Sequence, residues 1–128
     1  MLFRSPGDYT YRTTFDLSAY DAANTVVCGQ WTSDNGGVNI LINGTPTGHT
    51  ASGDYGVFFP FLIDSGFVAG VNTLDFVVRN DDAVAGYIGL RVTDLLHSEW
   101  MSKRDGERRR SSAKPPVIIG NWHDHRRI

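Results

Sequence analysis

The chain has 128 residues and a mass of 14.2 kDa, one domain's worth, long enough for a single two-layer core. Its hydrophobic fraction of 41% and charged fraction of 20% exclude a disordered or fibrous protein, and no stretch approaches the ~20 apolar residues of a membrane-spanning helix. The formal net charge of −2 hides a division. Through Asp94, four arginines (Arg4, Arg12, Arg79, Arg91) face ten carboxylates, a net of −6, whereas from Leu95 onward eight Lys/Arg face four acids, a net of +4.

In chain order, Met1–Gly7 lacks the sustained apolar region and cleavage site of a secretory signal, so no signal peptide is expected. Tyr9–Phe15 alternates with a two-residue period, placing Tyr9, Tyr11 and Phe15 on one face and Thr10, Arg12 and Thr14 on the other. Thr25–Trp31 predicts a second strand, with Val27, Gly29 and Trp31 sharing a face. Cys28 lies in this run. As the single cysteine it offers neither an intramolecular disulfide nor a zinc site, and reads as a small half-buried hydrophobe.

Ser33–Gly37 predicts a turn, because Asp and Asn bond their own backbone and glycine accepts positive φ. Val38–Ile42 predicts a strand with Val38, Ile40 and Ile42 inward and Asn39 outward, closed by the Asn43-Gly44 hairpin signal. In Tyr55–Ile63, Pro60 demands an edge or bent strand. Thr73–Asn80 points Leu74, Phe76 and Val78 inward, with Asp75 and Arg79 outward. Tyr87–Thr93 turns Ile88, Leu90 and Val92 inward, with Tyr87 and Arg91 outward. Short strands bounded by Gly, Asn and Pro indicate a sandwich or barrel.

After Asp94 the character changes. Leu95–Met101 suits a turn or two of helix. Lys103–Ser112 holds almost no apolar content to offset its ordering entropy. Val117–Ile119 suits an added edge strand. The division expected is a β-sandwich over residues 1–94 and a poorly ordered basic tail or edge-pairing extension over 95–128.

Several blocks, taken together in this order, resemble the galactose-binding-like jelly-roll domains of large bacterial extracellular and surface proteins. They are Tyr9–Leu17, Gly29–Gly37, Ile40–Gly44 with Thr47-Gly48, Phe59–Phe61, Gly66–Val78 and Gly89–Val92. The resemblance spans Asp8 to Asp94 and implies an all-β, antiparallel jelly-roll β-sandwich, a carbohydrate-binding-module-like role and an extracellular or cell-surface setting. Similar domains carry a further strand before the Tyr-x-Tyr strand, and here only eight residues precede it, so a missing first strand and an open sheet edge are expected. The tail or a second subunit would fill that edge.

Sugar binding needs a flat apolar face and planar polar groups. Trp31, Asp34, Asn35, Asn39 and Tyr55 are the right types near loops, and Arg79 and Arg91 add outward charge. Each has a plainer role as well: Trp31 as core beside Val27, Asp34-Asn35 as a turn cap, and Arg12, Asp75, Arg79 and Arg91 as exposed cross-strand ion pairs. Structural calcium is the other candidate, on Asp34, Asn35, Asp81, Asp82 and Asp94, although no Asp-x-Asp-x-Asp-Gly loop is present. His123-Asp124-His125 lacks a matched third metal ligand. Arg108–Arg110 lacks the interleaved aromatics of a nucleic-acid surface, so no nucleic-acid partner is expected.

No nucleophile elbow, phosphate loop or His-Glu-x-x-His occurs. The expected function is therefore non-catalytic: carbohydrate-binding or adhesive, with a glycosylated surface as partner. The alternative is an assembly domain that oligomerises through an open sheet edge and its tail.

Overall fold

The structure, a computed structural model, describes residues 2–81, 85–99, 117–118 and 122–125, with side chains for 4–81 and 85–95. Its strands are β1 (Leu2–Arg4), β2 (Gly7–Asp16), β3 (Thr25–Asp34), β4 (Gly36–Ile42), β5 (Thr45–Pro46), β6 (Phe59–Ile63), β7 (Val71–Asn80), β8 (Gly86–Glu99), β9 (Val117–Ile118) and β10 (Trp122–His125). Ala22–Asn24 forms a 3-10 turn capped by the Asp21 side chain. The strands make two antiparallel sheets. The first runs β1-β8-β3-β6, with β9 also on β8; the second runs β10-β2-β7-β4-β5. Over the first eight strands, the orders 1-8-3-6 and 2-7-4-5 are those of a jelly roll. No helix of the described residues is long and apolar enough to cross a membrane.

Two-residue alternation builds the core where pairing is regular. Leu74, Phe76 and Val78 of β7 and Ile88 of β8 are fully buried, and Tyr9 of β2 nearly so. They pack around Trp31, whose ring lies 5.3 Å from Phe76; Phe61 lies 5.6 Å from Phe76 on another side. The indole N–H of Trp31 is buried without an acceptor among the described residues.

Two bulges change which side chains face inward. The register of β4 against β7 slips between Gly37 and Asn39, so Gly37 takes the inward place expected of Val38. That exchange fits the space: a Cβ on Gly37 would stand 2.5 Å from Trp31 Cη2. The register of β3 against β8 also slips, between Cys28 and Gln30, where Asp94 adopts a left-handed φ of 54°. Beyond it the alternation inverts, and Leu95 is buried while Asp94 is exposed.

Three expectations need correction. Leu95–Glu99 is strand, not helix, because Thr25–Cys28 at the start of β3 pairs with Glu99–Leu96, and sheet pairing overrides local preference. The residue 94/95 boundary thus falls inside β8. The strand expected to be missing is supplied by Leu2–Arg4, paired with Ile88–Gly86. The tail also pairs both sheets. Val117–Ile118 adds to β8 as the edge strand expected of that run, and Trp122–His125, expected only as a polar, basic end, lies on β2 (Trp122↔Thr13 to His125↔Thr10). The rest of the basic tail, including Lys103–Ser112, lies outside the described residues.

On the outward face of the second sheet, register sets the ion pairs. Arg12 stands opposite Asp75 and holds it bidentately at 2.7 and 2.9 Å; Arg79 stands opposite Asp8 and does the same at 2.7 and 3.1 Å. Asp75 holds the Arg12 guanidinium above its ordinary pKa, mainly by hydrogen bonding.

Candidate functional site

The loop between β5 and β6 crosses the outward face of the first sheet. Asp54 O accepts from Val57 N at 2.9 Å, closing a turn, and from Thr32 Oγ1 at 2.9 Å, tying that turn down onto β3. Thr32 points outward yet is fully buried beneath the loop. Gly53 permits the close approach, since a Cβ there would meet the Asn35 backbone at 3.0 Å and its φ is +92°. The Asp54 carboxylate accepts from Gly56 N at 3.0 Å.

This anchoring presents two half-buried rings, Tyr55 and Phe58, beside Arg91 of β8. The Arg91 guanidinium carbon lies 5.6 Å from the Tyr55 ring centre and 5.1 Å from that of Phe58, both within cation–π range. Directly opposite Arg91 on β3 is Thr32, and two residues along the same face is Asp34. Burial raises the Tyr55 phenol pKa; Arg91 pulls it down and Asp34 pushes it up, so the hydroxyl feels both charges. The Arg91 guanidinium makes no hydrogen bond or ion pair with any described residue.

Beside this cluster lies an open depression of about 550 Å³ lined by Cys28, Gln30, Pro60, Leu62 and Asp94. Gln30 precedes Thr32 by two residues on β3, so the depression adjoins the aromatic pair. His49 borders it, its Nε2 3.1 Å from Leu62 O and its ring 6.1 Å from Phe61.

Of the seven candidate residues, Asp34, Tyr55 and Arg91 come together. Trp31 does not join them: it is wholly buried, with no face for a ligand. Asn39 braces the loop after β5, its Oδ1 accepting from Gly48 N and Ile40 N at 2.9 Å each. Asn35 bridges Asp34 (3.2 Å) and Asp81 N (3.3 Å). Arg79, paired to Asp8, belongs to the second sheet and so to the far side of the sandwich. Phe58 was not among the candidates. The signal for it is adjacency: Phe58-Phe59 in an extended run must turn one ring each way.

Among the described residues no three His, Cys, Asp or Glu side chains are grouped to hold a metal ion. Asp82, one of the calcium candidates, lies outside the described residues, as do Arg108–Arg110; for His123–His125 only the backbone is described. Compared with protein-family models, with curated proteins and with solved structures, the chain matches none.

Proposed function

We propose that this protein is a non-catalytic binding module that takes carbohydrate on the outward face of its first sheet. The observation that carries the reading is the Arg91 guanidinium held against the rings of Tyr55 and Phe58, with Asp34 alongside. Sugar rings present apolar C–H faces that stack on aromatic side chains, and hydroxyls that bond to planar charged groups; the cluster offers both. The adjoining depression gives room for a second sugar unit. A jelly-roll topology and the block order that resembles galactose-binding-like domains support the same reading, although fold by itself does not decide function.

Glycan-array screening followed by calorimetry tests it. Binding in the millimolar to micromolar range, lost in a Tyr55→Ala/Phe58→Ala double variant that still unfolds cooperatively, is the expected result. Binding unaffected by that double change would refute the site.

A second reading is favoured by one observation: strands β9 and β10 add to β8 and β2 by backbone pairing. Such strands transfer between subunits without changing their hydrogen bonds. Assembly through them predicts a concentration-dependent oligomer that disappears when residues 100–128 are deleted, a truncation that leaves β8 whole.

A further inference from the structure

We infer that the sugar taken at this site carries a carboxylate, so that the ligand is a uronic-acid-containing glycan; the inference rests on the carbohydrate reading. It starts from a contrast among arginines. Arg12 and Arg79 each face a carboxylate directly across the β2–β7 ladder and are bound bidentately. Arg91 faces Thr32, which has turned its hydroxyl away to Asp54 O. Its charge is unmatched by any hydrogen-bonding partner among the described residues.

Arg91 is solvent-exposed, yet its guanidinium is engaged. Two rings engage it, and a cation–π contact positions the charge without neutralising it. With no described residue accepting from its N–H groups, the guanidinium keeps them for a planar partner, and a carboxylate matches the fork with two parallel hydrogen bonds. The neighbouring Asp34 suits a sugar hydroxyl donor and repels a second anion. One carboxylate per sugar, set among neutral hydroxyls, fits these constraints.

The test uses the full chain on an array printed with oligogalacturonate, alginate and hyaluronan fragments, their carboxyl-reduced counterparts, neutral galactans and glucans, and sulfated galactans. The expected result is binding confined to uronate-bearing members and weakened about tenfold or more by carboxyl reduction, the scale of one charge-assisted bidentate pair. Arg91→Gln removes the difference between acid and reduced forms, whereas Arg91→Lys, which keeps the charge but lacks the fork, retains part of it. Melting curves of both variants establish that they fold. Equal binding of acid and reduced sugars, or binding only to neutral or sulfated glycans, overturns the carboxylate inference and leaves the carbohydrate reading standing. Binding to no glycan on the array overturns both.

Discussion

Replacing Gly37 by alanine isolates one contact of the core. The backbone there is not left-handed, so the cost is steric. The new methyl would stand 2.5 Å from Trp31 Cη2, 2.9 Å from Cζ3 and 2.8 Å from the Ala51 Cβ, about 1 Å inside ordinary contact. Trp31 has little freedom to retreat, being fully buried against Phe76. Ala51 is held as well, by reciprocal 3.0 Å backbone hydrogen bonds with Gly37. Overpacking of this kind costs about 1–3 kcal/mol. At roughly 3–6 °C per kcal/mol for a domain of this size, the melting temperature should fall by about 3–18 °C. Urea unfolding supplies the free energy and scanning calorimetry the midpoint. Gly70→Ala is the control: φ is +90° but nothing lies within 4 Å of the added Cβ, so only the left-handed backbone cost of about 1–2 kcal/mol applies. Trp31→Phe removes the two clashing ring atoms and leaves the Ala51 Cβ, so in that background Gly37→Ala should lose part of its effect. A melting temperature unchanged in Gly37→Ala, or an equal loss with and without Trp31, would refute the packing argument.

Asp75→Asn should destabilise by about 2–3 kcal/mol in urea, below the full cost of breaking a buried pair, because Arg12 keeps 33% of its side chain exposed while Asp75 keeps 4%. Asn72→Asp should cost about 1–3 kcal/mol: the fully buried amide donates to Val68 O and Gly70 O at 2.8 and 2.9 Å, and a carboxylate cannot. Because the Tyr55 phenol is raised in the folded state, its contribution is intact below the ordinary tyrosine pKa and stability falls as pH rises through the folded value. Arg91→Gln should raise the Tyr55 pKa further, seen as a later phenolate absorbance step after subtracting the Tyr55→Phe titration.

Much of this fold is legible from alternation because β2 and β7 pair without a slip over ten residues, so parity alone sorts Leu74, Phe76 and Val78 from Asp75 and Arg79. The readings failed where parity is broken. Val38 and Leu95 each sit at or just beyond an extra residue, and a bulge leaves no mark that local hydrophobicity reveals. The ion pairs of Arg12 and Arg79 follow as a class from charges on outward faces, whereas Arg91, which falls in the same class, makes no ion pair among the described residues. The site itself was only half visible. Tyr55 and Arg91 are 36 positions apart in sequence, and what joins them is one hydrogen bond from Thr32 to the Asp54 carbonyl, a contact that no periodicity encodes.

The pairing of β10 with β2 has a consequence for the order in which this molecule is made. Asp124 lies beside Tyr11, so the edge of an early-synthesised strand stays uncovered while more than a hundred further residues are translated. At ribosomal speeds of about 5–20 residues per second, that interval is roughly 5–20 s. A nascent chain therefore exposes a bare row of amides and carbonyls for far longer than a hairpin takes to close, and neighbouring polysome-borne copies are its nearest competitors for that row.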